Sequence, residues 1–238
     1  MSTSPLIPIP WEPTEGREAH DPEFGSLLGV WTGERLALRG AVSHYGFIAQ
    51  GTAWLSCASG RFELQSGMYF ALPGGGELEG QGRGIVITRP DHTCLFSLGG
   101  PVEEQGRLRY VDGCTDTLLL SPAVLGAPCM NLLHLPAGTQ QTLHTHPTVR
   151  IGLIFAGHGH CQSPGSRVAL SPGQIFIIPP GTAHCFHTTD EALRVIAYHP
   201  DTDTGPTHTD HPMINRTYID GRSAAQLSSV QTQAQELL

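Results

Sequence analysis

Apolar residues in this chain come in short runs separated by glycine- and proline-rich turns, the pattern of an all-β protein. Leu118-Leu119-Leu120 and Met130-Asn131-Leu132-Leu133-His134 read as strands. Ile151-Gly152-Leu153-Ile154-Phe155 is an unbroken apolar stretch, which fits a strand buried on both faces. Gln174-Ile175-Phe176-Ile177-Ile178 is a further strand, ended by a Pro-x-Gly turn at Pro179–Gly181. Alternate residues of a strand share a face, so Leu143-His144-Thr145-His146 aims two imidazoles the same way. His184, just past the Pro-x-Gly turn, is placed to add a third. Residues 1–27 form a proline-rich arm with little periodicity, and Gly221–Leu238 has the composition of a short helix.

Composition narrows the class. With 29 glycines, 19 prolines and only 14% charged residues, the chain suits short strands joined by tight turns. Its 13 basic and 21 acidic residues leave a net charge of −8, which argues against nucleic-acid binding and for a soluble protein. No apolar run approaches the ~18 residues of a membrane span. The start Met1-Ser2-Thr3-Ser4-Pro5 has neither the basic residues nor the apolar core of a secretory signal, so a cytoplasmic protein is expected. The six cysteines are scattered without a CxxC pair, as expected of reduced thiols.

Three neutral imidazoles suit Zn, Cu, Fe, Ni or Mn and leave positions open for a substrate. The full pattern is Gly138-x5-His144-x-His146 with Gly157 downstream, then Gly173-x5-Pro179-x-Gly181-x2-His184. It resembles the two motifs of the cupin superfamily. The resemblance implies a jelly-roll β-barrel with one divalent transition metal in its mouth, held by His144, His146 and His184. It also implies association through the sheets, so a homodimer is expected.

The second half also explains the first. Gly51 and Gly67 are spaced like Gly157 and Gly173, and a shift of 106 aligns Gly67-x5-Pro73-x-Gly75 with Gly173-x5-Pro179-x-Gly181. An internal repeat of this kind implies two tandem cupin-type jelly-roll β-barrels. The expected organisation is an arm over 1–27, a degenerate barrel over 28–112, a metal-binding barrel over 113–205, and a loop with a short C-terminal helix over 206–238. The repeat places Leu38, Gly40 and Leu78 opposite the three histidines, so the first barrel is expected to be metal-free. It also explains Pro73-Gly74-Gly75-Gly76 as a degenerate copy of the turn rather than a phosphate-binding loop. His44 in this region is read as structural.

Similar cupins carry a glutamate four or five residues after the second histidine. This chain has Pro147-Thr148-Val149-Arg150-Ile151 there. A guanidinium cannot ligate a cation, so the site is expected to hold three histidines and no carboxylate. Arg150 is expected to anchor a substrate carboxylate, which its fork geometry suits, and the substrate is then small and anionic. A three-histidine site without carboxylate resembles cupin dioxygenases that cleave dihydroxyaromatics, salicylates or β-diketones or oxidise small thiols, and Fe(II) is the expected metal. The same ligands suit Zn, Ni or Mn in a non-redox lyase, isomerase or cyclase, and a sensing module is a third reading. His187, three residues after His184, is expected to support the metal ligands from behind or to face the substrate. His158 and His160 are read as a surface strand, His134 as a core histidine, Cys185 as a core thiol, and residues 199–211 as a polar connector or lid.

Overall fold

The alternation of apolar residues is realised as short strands and single 3-10 turns in the computed structural model, which describes residues 4–19, 21–207 and 210–230. The first half carries β1 (Ile7–Ile9), β2 (Thr14–Glu18), β3 (Leu27–Trp31), β4 (Leu36–Leu38), β5 (Ser43–Cys57), β6 (Gly60–Gln65), β7 (Tyr69–Pro73), β8 (Gly76–Arg89) and β9 (Ser97–Gly99). The second carries β10 (Leu108–Arg109), β11 (Thr115–Leu120), β12 (Cys129–Leu135), β13 (Arg150–Ala156), β14 (Gly159–Ser163), β15 (Ser166–Leu170), β16 (Ile175–Ile178), β17 (Cys185–His187) and β18 (Leu193–His199). A hairpin, β19 (Tyr218–Ile219) and β20 (Arg222–Ser223), follows. No helix among the described residues is long and apolar enough to cross a membrane.

In the first half the sheet order is β2-β3-β8-β5-β7-β9, with β4 on β8 and β6 on β5. In the second it is β1-β16-β13-β18-β12-β11-β10, faced by β15-β14-β17. Each half is a jelly roll with open sheets. The long strands β5 and β8 run unbroken through the first half, whereas their counterparts in the second are divided into β13 and β14, and β17 and β18.

Three cores follow from period-two burial. Tyr45 and Phe47 of β5 pack with Ile151 and Leu153 of β13, Ile175 and Ile177 of β16, and Ile196 and Tyr198 of β18 between the halves. The opposite faces fill each half separately: Ile48, Phe70, Leu72 and Val86 in the first, Ile154, Phe176, Ile178 and Val195 in the second. Both faces of β13 are therefore dry, which is why its sequence does not alternate. Each fully buried side chain of this size contributes about 1.5–3 kcal/mol.

The two halves match in side-chain detail. Gly46 faces the ring of Phe70, and Gly152 faces the ring of Phe176. A Cβ added at Gly46 or Gly152 would lie 2.1 or 2.2 Å from that ring, so only glycine fits. Gly51, inside β5, and Gly157, between β13 and β14, take left-handed φ values of 74° and 78°.

At the chain's start the arm is paired: β1 pairs with β16 of the second half, and β2 pairs with β3 of the first. Trp11 Nε1 donates to the Gly173 carbonyl at 2.6 Å, under the guanidinium of Arg83. Strands of three and five residues are too short to carry a readable period and are specified by the sheet edges they meet. The expected C-terminal helix is absent over residues 221–230, and 231–238 lie outside the described residues. Asp220 and Gly221 are both left-handed and turn the chain into the β19–β20 hairpin, and single 3-10 turns at Ala224–Gln226 and Ser228–Val230 follow.

Candidate metal centre

His144 and His184 meet across a two-way backbone bridge, each N–H donating to the other's carbonyl at 3.0 and 2.9 Å. Gly181 N–H donates to the His146 carbonyl at 2.8 Å, and Gly181 itself needs its left-handed φ of 69° to turn the chain. The Pro-x-Gly turn is thereby stitched to the His-x-His segment, and three imidazoles converge. Their ring centroids are 4.7 to 5.2 Å apart, and one nitrogen from each lies within 4.8 Å of the others.

Backbone carbonyls set two of the tautomers. His144 Nδ1 lies 2.7 Å from the Thr142 carbonyl, and His184 Nδ1 lies 2.8 Å from the Thr182 carbonyl. A carbonyl only accepts, so each Nδ1 carries the proton and each Nε2 keeps its lone pair. Thr142 is held in turn by Asp112, whose carboxylate accepts from the Thr142 N–H at 2.6 Å and from its hydroxyl at 3.1 Å. Asp112 sits at a left-handed φ of 56° in the link between β10 and β11.

Electrostatics favour neutral rings. Burial, then Arg150 and the neighbouring imidazoles, pushes His146 down to about 3. Burial also dominates at His184, where it outweighs the Thr182 carbonyl and sets the ring at about 4. Neutral imidazoles with free Nε2 lone pairs are the form that binds a divalent transition metal, so this donor set fits one.

The imidazoles open into a cavity of about 240 Å³ that also meets Arg150, His199, Phe176, Phe186 and Asn131. Arg150 begins β13. Its Nη1 donates to the Thr148 carbonyl and hydroxyl and to the Val149 carbonyl at 2.7 to 3.1 Å. Thr148 donates to Asp201, and Val149 N–H donates to Asp21. Nη1 is thus saturated, while Nε is buried with no partner among the described residues. Burial lowers the guanidinium's pKa, against the opposing charge of Asp201.

The structure brings His144, His146, His184 and Arg150 together and leaves His187 outside the cavity. On β17, Phe186 points inward while Cys185 and His187 turn to the other face. There His187 Nε2 lies 3.3 Å from Cys185 Sγ, and its ring is 5.1 Å from that of His160. His158 pairs with Glu191 on the surface, and His134 is buried against Thr115. The connector after His199 is docked, with Gly126 and Leu125 donating to the carbonyls of Thr202 and Pro206. His208 and Thr209 of that connector lie outside the described residues.

His199 and Asp112 are the residues that sequence reasoning missed. His199 is the last residue of β18, where Val195, Ala197 and His199 alternate inward, and its ring lies 6.3 Å from that of His146. Burial beside Arg150 and His146 holds it well below its ordinary pKa. The period-two reading, carried to the strand's end, points to it. Nothing local in the sequence points to Asp112.

Strand pairing also corrects one repeat position. Leu38 pairs with Gly76 as His144 pairs with His184, and Leu55 pairs with Leu78 as Cys161 pairs with Phe186. The first half's counterpart of His184 is therefore Gly76, not Leu78, because its turn is two residues shorter. A Cβ at Gly76 would lie 2.8 Å from the Ser56 carbonyl oxygen, so no side chain fits there.

Residues 131–199 match the family model for the cupin domain. Among curated proteins, no sequence matches. A cupin 2 conserved barrel domain protein from Leptotrichia buccalis superposes with a TM-score of 0.59 at 13% identity, over 83% of this chain and 90% of that one. A salicylate 1,2-dioxygenase from Pseudoaminobacter salicylatoxidans, solved with gentisate, superposes with a TM-score of 0.56 at 11% identity, over 75% of this chain and 68% of that one. The fold is that of cupins.

Proposed function

We propose that this chain is a metal-dependent enzyme that holds one divalent transition metal, Fe(II) first among them, on His144, His146 and His184 and oxidises a small anionic organic substrate with dioxygen. The observation that carries the proposal is the convergence of three imidazoles, two with backbone-fixed tautomers, on a cavity that Arg150 also lines. A bound metal supplies Lewis acidity and, for iron, redox chemistry toward dioxygen. The chain's own residues do the rest. Arg150, on the cavity wall, binds and orients the substrate carboxylate. Phe176, Phe186 and Ile178 exclude water from the reacting region and strengthen that charge pairing. His199 presents a neutral imidazole at the same wall. The salicylate 1,2-dioxygenase likeness is one of fold, and it suggests which substrates to try first.

Oxygen uptake by protein reconstituted with Fe(II), screened over hydroxybenzoates, catechols, β-diketones and small thiols, tests the proposal. Uptake that requires both iron and one of these compounds, and disappears in His144→Ala, is expected. Turnover with Zn, Ni or Mn and no uptake with iron would replace it by a non-redox lyase, isomerase or cyclase. Binding of a compound without turnover under any metal would leave a sensing module.

A further inference from the structure

The first half has a cavity of its own, about 460 Å³, against about 240 Å³ at the imidazoles. It falls within the roughly 300–1,000 Å³ of small-molecule pockets. It stands at the corresponding place in the fold, and strand register shows what has changed. Gly29 pairs with Val86 as Asn131 pairs with Ala197, and Gly46 pairs with Val86 as Gly152 pairs with Ala197. Gly29 therefore stands where the metal cavity has Asn131, and Gly40 stands where it has His146. Two polar side chains are gone, and no side chain replaces them. Leu36 and Leu38, alternate residues of β4, line the cavity, as does Val86 of β8.

The polar groups that remain are spent on one another. The Arg39 carbonyl only accepts, so His44 Nε2 carries the ring proton and Nδ1 accepts from the Thr88 hydroxyl, each contact at 2.9 Å. The ring is neutral in this arrangement, and burial holds its pKa below the ordinary value. No lining side chain has a buried polar atom without a partner among the described residues. Arg39 is the only described lining residue with a fixed charge, and it is exposed to solvent. A charged ligand would lose its water here and find no buried group to pair with, whereas apolar surface gains by leaving water.

We propose that the first half is a second binding site, independent of the metal, for an uncharged and largely apolar small molecule held by Leu36, Leu38 and Val86. The proposal goes beyond the oxidation of an anionic substrate and does not depend on it.

Fluorescence titration of the full chain with N-phenyl-1-naphthylamine, an uncharged aromatic probe, tests this. The charged counterpart is 8-anilino-1-naphthalenesulfonate, the same skeleton carrying a sulfonate. Saturable binding of one neutral probe per chain, about tenfold tighter than the sulfonate, is expected with and without Zn(II). A Cβ at Gly40 would meet nothing nearer than the Gly75 nitrogen at 3.9 Å, so Gly40→Phe can bring a ring to the cavity. It is expected to weaken the neutral probe by about tenfold or more. Val42→Phe fills the same cavity from another lining position and keeps the test decisive if Gly40→Phe fails to fold. Absence of saturable binding, equal affinity for the sulfonate, displacement of the probe by zinc, or wild-type affinity in the folded variants overturns the proposal.

Discussion

His44 and Arg150 occupy the same place in the two halves of the molecule. His44 pairs with Leu72 across β5 and β7 as Arg150 pairs with Ile178 across β13 and β16. Each lines a cavity, the one in the first half being the larger at about 460 Å³. His44 spends both ring nitrogens on its own half, on Thr88 Oγ1 and the Arg39 carbonyl, each at 2.9 Å. Arg150 ties down a single nitrogen, Nη1, on Thr148 and Val149. Around His44, the positions of the three ligands hold Leu38, Gly40 and Gly76. Around Arg150 they hold imidazoles. The frame of glycine turns and glycine–phenylalanine contacts is common to both, so the frame alone does not make a metal site. What makes one is three side chains and a turn two residues longer.

This comparison can be broken in several places. The largest effect is expected on the shared frame: Phe70→Ala should destabilise the protein by about 3–5 kcal/mol in chemical denaturation. It should leave metal stoichiometry unchanged, because Phe70 belongs to the half without ligands. Phe176→Ala should also destabilise, and it alone should alter ligand affinity, since it enlarges the cavity. Equal effects of both on ligand binding would contradict the division of labour.

Removing the support behind one ligand comes next. Asp112→Ala should weaken Co(II) binding by roughly 10–100-fold, read from titration of the cobalt absorption bands, as loss of an outer-shell partner typically does. Asp112→Asn, which can still accept from the Thr142 N–H, should recover part of the loss. Affinity unchanged in the alanine variant would show that Thr142 orients His144 unaided.

Acidification should destabilise the fold through its buried imidazoles. In the metal-free protein, His146 at about 3 and His184 at about 4 both titrate below the ordinary 6.5. Folding therefore favours their neutral forms. That stabilisation is complete above about pH 6.5 and is lost as pH falls through the window towards 4, where the unfolded chain binds more protons. Thermal melting from about pH 7 to about pH 5 should show a falling midpoint, and a double replacement of His146 and His184 by glutamine should reduce the fall, to which buried His44 and His199 also contribute. The smallest effect is expected at His158, part of the second His-x-His sequence. His158→Ala should change stability by no more than about 0.5 kcal/mol and leave metal content alone, because its exposed pair with Glu191 is solvated.

Much of this was legible before the structure. His144, His146 and His184 follow from spacing and from a turn motif, and the apolar run of β13 correctly implies burial on both faces. The features that escaped reading depend on pairing between distant segments. Asp112 acts on Thr142 across 30 residues, and β1 joins a sheet built by the other half. The third repeat position shifted from Leu78 to Gly76 because a two-residue difference in turn length is invisible to a constant offset. His199 was readable as an inward strand residue but sits where the strand gives way to a polar connector.

Metal binding by the three imidazoles is the central claim, and metal content tests it most directly. Protein purified without chelators or a polyhistidine tag should carry, or take up on reconstitution, close to one transition-metal ion per chain, and His144→Ala should carry none. A wild-type chain that binds no metal, or a His144→Ala variant that binds as much as the wild type, would contradict the account.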